Sequence, residues 1–116
     1  MPINSRQKGA QGEREWAKWL RDNLSVKDAR RGCQHAGGVD SPDVIGLAGT
    51  HAEVKRTQKL NLWAAMYQSI RDCCGKSLPY VAHRKNGEEW LITIQAKHLI
   101  KFNALLTAHL KKMDEL

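Results

Sequence analysis

The stretch SPDVIGLAGTHAEVKR, residues 41–56, places Asp43, Glu53 and Lys55 in what otherwise reads as two core strands. Charged side chains rarely sit in half-buried strands without a partner or a role. Side chains alternate along a strand, so Glu53 and Lys55 share one face while Val54 points to the other, towards a core. A hairpin centred near residue 49 sets Asp43 across from Lys55 and next to Glu53. Two carboxylates and an ammonium on one patch suit metal-dependent phosphodiester cleavage. A hard cation such as Mg²⁺, or Mn²⁺ in its place, takes oxygen ligands and keeps waters beside one or two carboxylates. Asp43 and Glu53 are the expected ligands, with the Val54 carbonyl as a third. Such an ion polarises a phosphate and acidifies a bound water. Lys55 then orients the water and offsets charge growing on the phosphorane-like transition state.

Spacing alone does not separate this site from a surface hairpin carrying a Glu53–Lys55 or Asp43–Lys55 ion pair, which would contribute little. Asp40, in the preceding loop, is the rival to Asp43, which begins the strand and so has the more fixed geometry. Three features favour the site: the strand context, an acidic residue on an inward helix face, and a basic surface.

The elements that must position these groups follow from pattern. A helix is expected over 5–23, with Ser5 as its N-cap. Trp16, Ala17, Leu20 and Leu24 form its inward stripe, and Glu13 continues that stripe towards the N-terminus. Glu13 is therefore aimed at the protein, where it holds a metal-bound water or positions a second ion. Arg14, Lys18 and Arg21 form a basic stripe beside it. A short strand is expected over 26–31, then the loop GCQHAGGVDSP, then strands over 43–47 and 51–56. A helix over 61–74, with Leu62, Ala65, Met66 and Ile70 inward, is stopped by Gly75. Strands over 80–85 and 88–94 flank Asn86-Gly87, with Val81 opposite Ile92 and His83 opposite Trp90. A last helix over 96–113 offers Leu99, Phe102, Leu106, Leu110 and Met113 as its core face. The helix between strands implies a crossover, hence a mixed sheet with helices packed on it.

At 116 residues the chain, 1–116, reads as one domain. Nineteen Lys and Arg against twelve Asp and Glu give a net charge of +7, which favours a polyanion as partner, either nucleic acid or a membrane surface, a solubility surface being the other account of charge alone. No window is apolar enough to span a bilayer and the start lacks a signal-peptide core, so a cytoplasmic place is expected. Cys33, Cys73 and Cys74 make no CxxC pair, and the five histidines show no zinc spacing with them. Of the four tryptophans, Trp16, Trp19, Trp63 and Trp90, most fall at core-compatible positions.

The D…ExK pattern after a helix bearing Glu resembles the PD-(D/E)XK nuclease superfamily. Within it, KGAQGERE at residues 8–15 is similar to the opening helix of archaeal-type Holliday junction resolvases and their phage relatives. The likeness covers residues 8 to about 72 and is specific at Glu13, Asp43, Glu53 and Lys55. It implies an α/β (α+β), restriction-endonuclease-like mixed sheet flanked by helices, and metal-binding and catalytic roles for those four residues. It further implies a structure-selective endonuclease acting on four-way DNA junctions as a homodimer, encoded by a host, phage or prophage. Arg30 or Arg31 matches the family's strand arginine, and Ser41 a loop serine. With Lys8, Arg14, Lys18 and Arg21 they are the candidate DNA contacts. Gln68 falls where some relatives place an auxiliary polar residue, a solvated helix position being the other account. The competing functions are a phage or restriction-type nuclease on duplex or flap DNA, and a non-catalytic nucleic-acid-binding module. The second has no need of an acidic cluster that repels phosphate. Candidate dimer surfaces are the helix 61–74 face around Trp63 and Tyr67 and the end of the last helix.

Overall fold

The strand that carries Glu53 and Lys55 lies at the centre of the sheet. In the computed structural model, which describes residues 5–32 and 41–114, this strand is β3 (Thr50–Arg56). Before it come helix α1 (Ser5–Leu24) and two short strands, β1 (Arg30–Arg31) and β2 (Val44–Ile45). After it follow α2 (Leu62–Cys73), β4 (Leu78–Arg84), β5 (Leu91–Ile94), a 3₁₀ turn (Ala96–His98) and α3 (Leu99–Asp114). The five strands form one sheet in the order β1-β2-β3-β4-β5, parallel between β3 and β4 and antiparallel elsewhere. The fold is therefore a mixed sheet flanked by helices, with α2 as the crossover. Cys33 and Asp40 fall outside the described residues. No helix among the described residues is long and apolar enough to cross a membrane.

Alternation along β3 divides the two faces. Ala52 and Val54 join Trp16, Ala17 and Leu20 of α1 and Tyr80 and Ala82 of β4 in the main core, with Phe102 of α3 against it. Trp16 donates from Nε1 to the Tyr80 hydroxyl at 2.9 Å, which satisfies the polar handles of two buried rings, and stacks on Trp19. On the other face Val81 packs against Ala65 and Met66 of α2. Ser69 of α2, fully buried, shares its one hydroxyl proton between the carbonyls of His51 and Tyr80 and so clamps the helix across both parallel strands.

Local chemistry sets the ends of α2. The Asn61 side chain caps it by accepting from the Ala64 N–H at 3.0 Å. Its last turn closes on Cys74, which takes the left-handed conformation (φ 52°) one residue before the expected Gly75. The helix α1 runs from Ser5, and the Ser5 side chain, expected as its cap, lies outside what is described.

Four further expectations need correction. The strand over 26–31 shrinks to Arg30–Arg31, because Val26 and Ala29 are buried in a turn beneath α1, with the Ala29 carbonyl held by Arg21 Nη1 at 2.7 Å. The β2–β3 hairpin pairs Val44 with Ala52, which puts Asp43 level with Glu53 and not Lys55. Gly46 (φ 138°) and Gly49 (φ 82°) tighten its turn. The β4–β5 pairing sets Val81 opposite Thr93 and His83 opposite Leu91, one residue from the expected register. An Asn-Gly turn of the type that fixes a two-residue hairpin needs positive φ at both positions, and here only Gly87 has it. Finally, α3 buries no side chain fully. Phe102 and Leu106 face inward, whereas Leu99, Ile100 and Leu110 are exposed. Beneath α3 a cavity of about 210 Å³ is walled by Trp16, Trp19, Tyr80, Trp90, Phe102 and Leu106.

Candidate active site

Asp43 precedes β2 at the edge of β3 and is held there by three bonds. Its N–H donates to the Ala52 carbonyl at 2.8 Å, its carbonyl accepts from the Gly32 N–H at 2.8 Å, and its Oδ2 accepts from the Val54 N–H at 2.9 Å. The contact with Gly32 requires glycine: a Cβ there would lie 1.9 Å from the Pro42 carbonyl oxygen. In an antiparallel pair a residue exchanges both its backbone bonds with one side, so the Val54 carbonyl faces the same edge as its N–H.

Glu53 is the ladder partner of Val81 and so lies on the α2 face, only 3% exposed. Its Oε1 is 3.3 Å from Lys55 Nζ. Burial, then the charge of Asp43, pushes the Glu53 pKa up to about 8 against the pull of Lys55.

Glu13 arrives from α1. The close approach of α1 to β3 is made at Gly12, where a Cβ would lie 2.9 Å from that of Arg56. The Glu13 Oε2 is 3.3 Å from Arg31 Nε. Burial and the charge of Asp43 raise its pKa, and Arg31 and Arg14 oppose the rise. The charge of Asp43 is thus felt by a carboxyl from each face of the sheet. The next acid of the run, Glu15, serves the scaffold. Its Oε2 meets Arg56 Nε at 2.9 Å and Arg84 Nη2 at 3.8 Å, tying α1 to the ends of β3 and β4.

Lys55 borders a small pocket with Asn61, Ala64 and Gln68 at the start of α2. Gln68 is half-buried beside Lys55, which departs from a simple solvated position. Of the expected DNA contacts, the structure brings Arg31 into the cluster through Glu13, and Arg14 is exposed within range of its charge. Lys8 is half-buried on the first turns of α1. Lys18 is exposed and paired with Asp22. Arg21 is spent on the Ala29 carbonyl and Arg30 donates to the Asp28 carbonyl. Ser41 is half-buried one residue before Pro42.

Sequence reasoning passed over His83. It is the ladder partner of Lys55 across the parallel strands and shares its face, with Nε2 2.9 Å from Thr93 Oγ1. Burial lowers its pKa, so the ring is neutral at pH 7. Nothing local could have placed it there, since a crossover helix separates the two strands.

Among the described residues no three His, Cys, Asp or Glu side chains group as ligands of one ion. A Mg²⁺ that keeps several waters asks for only one or two carboxylates, so this bears neither way on such an ion. No family model matches the chain, and neither a curated protein nor a solved structure matches it.

Proposed function

We propose that this protein is a metal-dependent, structure-selective DNA endonuclease that resolves four-way junctions as a homodimer, in the cytoplasm of a host or of a phage-infected cell. The observation that carries this reading is Asp43, fixed by hydrogen bonds at the edge of β3 within electrostatic reach of Glu53 and Glu13, with Lys55 beside Glu53. The donors fit a hard divalent cation, Mg²⁺ or Mn²⁺, because all are oxygens. A Glu53 pushed up to about 8 by burial and then by a neighbouring carboxylate is also the kind of group whose charge a cation would restore. Asp43, Glu53 and the Val54 carbonyl would hold that ion, with Glu13 on one of its waters or a second ion. Once bound, it supplies Lewis acidity to the scissile phosphate and acidifies water.

The remaining roles belong to the chain itself. Lys55, on the same face as Glu53, orients the attacking water and stabilises the extra charge on the phosphorus oxygens as the bond to water forms. Arg31 and Arg14 offer cations to phosphates flanking the acidic cluster, and the +7 net charge draws DNA to the surface. Junction resolution needs two nicks in strands related by a two-fold axis, which a symmetric dimer supplies. Trp63 and Tyr67, adjacent on α2, are 72% and 60% exposed and give such a dimer an apolar face.

The test is cleavage of a four-way junction, a flap and a linear duplex with Mg²⁺, by the wild type and by Asp43→Asn. Preferred, paired nicking of the junction, lost in the variant, supports the reading. A variant that cuts at the wild-type rate overturns the site, and a preference for linear duplex overturns the junction assignment.

A further inference from the structure

Beyond Lys55, where the parallel strands β3 and β4 end, a groove of about 640 Å³ opens on the α2 face. That volume lies within the range of pockets that enclose a small ligand, roughly 300–1,000 Å³. His83, the partner of Lys55, lines the groove together with the apolar side chains of Leu60, Leu62 and Leu91. Lys59 and Lys85 bring positive charge, and Glu88 and Glu89 bring carboxylates. The two loops that border it are tied together. Gln58 Oε1 accepts from the Asn86 N–H, and the Thr57 N–H donates to the Arg84 carbonyl at 3.2 Å. The concavity is thus formed before any ligand arrives.

Its chemistry distinguishes among the parts of a nucleic acid. Leucine side chains suit the faces of a base and offer nothing to a phosphate. The lysines suit the phosphates of a strand passing over the groove. The two carboxylates repel a phosphate drawn inside but accept hydrogen bonds from an exocyclic amino group, as Glu and Asp do from cytosine. With Nε2 of His83 bonded to Thr93, the other ring nitrogen is the one a ligand would meet.

We infer that this groove is a base subsite, which takes one unpaired, amino-bearing nucleobase from a strand whose neighbouring phosphate lies at Lys55. The inference rests on the nuclease reading and sharpens its substrate: branched DNA with an unpaired nucleotide at the branch point.

The experiment compares two four-way junctions, one fully paired and one with a single unpaired cytosine at the crossover. Binding is followed by fluorescence anisotropy in EDTA. The unpaired cytosine should tighten binding about tenfold, at the lower end of one base contact, and an unpaired thymine should gain less. Leu91→Ser, at an exposed position, removes apolar surface that the base would cover and should erase most of the gain while leaving affinity for the paired junction unchanged. Glu88→Gln/Glu89→Gln should remove the preference for cytosine over thymine. Equal binding of the two junctions by the wild type, or an undiminished gain in Leu91→Ser, overturns the subsite. Because binding is read without metal, failure of the nuclease reading shows separately, as an absence of Mg²⁺-dependent cutting by the same wild-type protein.

Discussion

The Asp43 carboxylate accepts a hydrogen bond from the backbone N–H of Val54, 2.9 Å away. One oxygen of the central acid thus fastens the loop before β2 to the edge of β3, and structure and chemistry meet in a single side chain. The two roles separate by substitution. An asparagine amide keeps an acceptor oxygen, so Asp43→Asn should hold its melting temperature within a few degrees and lose cleavage by about 10³-fold or more. Asp43→Ala should lose cleavage equally and also cost about 1–3 kcal/mol, because the Val54 N–H is left without its partner. Thermal melts and single-turnover cleavage of both variants check this.

Glu53 makes the metal-free protein sensitive to pH. Its pKa rises from 4.5 to about 8 on folding, so between those values the folded chain holds a proton that the unfolded chain has released. Its contribution is fully present below about pH 4.5 and is lost as pH rises through about 8, and stability falls across that window. Glu53→Gln cannot ionise and should flatten this slope. Above pH 8 the variant should be the more stable protein, by on the order of 1.4 kcal/mol for each pH unit that separates the folded and unfolded pKa values. Urea midpoints in EDTA at about pH 5 and pH 8.5 measure it. Added Mg²⁺ should reverse the ranking at the higher pH by stabilising the wild type alone.

Two glycines of α1 should respond oppositely to alanine. A Cβ at Gly9 meets nothing within 4 Å, so Gly9→Ala should stabilise the helix by about 0.5–1 kcal/mol. At Gly12 the same change gains helix propensity but drives a Cβ to 2.9 Å from Arg56 Cβ. The expected net result is a loss of about 1 kcal/mol as overpacking outweighs propensity. Gly12→Ala should also slow cleavage more than its stability loss explains, since Glu13 moves with the helix. Denaturation and cleavage of the pair give both readings.

Trp63→Asp/Tyr67→Asp should leave the fold intact, because both residues are exposed, and should yield a monomer by light scattering at micromolar protein. That monomer should nick a junction in one strand only. A dimer that survives the double change places the interface elsewhere.

What sequence revealed here is what short-range geometry controls. The inward stripe of α1 put Glu13 against the sheet, and alternation put Glu53 and Lys55 on one face. The pairing of Lys55 with His83 was hidden because a crossover sets its register through tertiary packing. The slip at β5 has a smaller cause, one φ angle at Asn86, yet a one-residue shift turns every side chain to the other face. Periodicity named the stripe of α3 correctly at Phe102 and Leu106 but could not tell how much sheet lay beneath it. With only four residues in β5, Leu99 and Leu110 overhang.

The thin seating of α3 also governs how the molecule comes apart. A helix with no fully buried side chain, laid over a cavity of about 210 Å³, forfeits little apolar burial when it lifts away. The sheet under it, clamped by Ser69 and by the Trp16–Tyr80 bond, opens only with the whole domain. Amide exchange should therefore report two tiers: α3 amides exchanging through a low-energy partial opening, and those of β3 and β4 only at the global unfolding free energy. In that partly opened form the acidic cluster keeps its scaffold, because neither α1, β2 nor β3 draws its support from α3 alone.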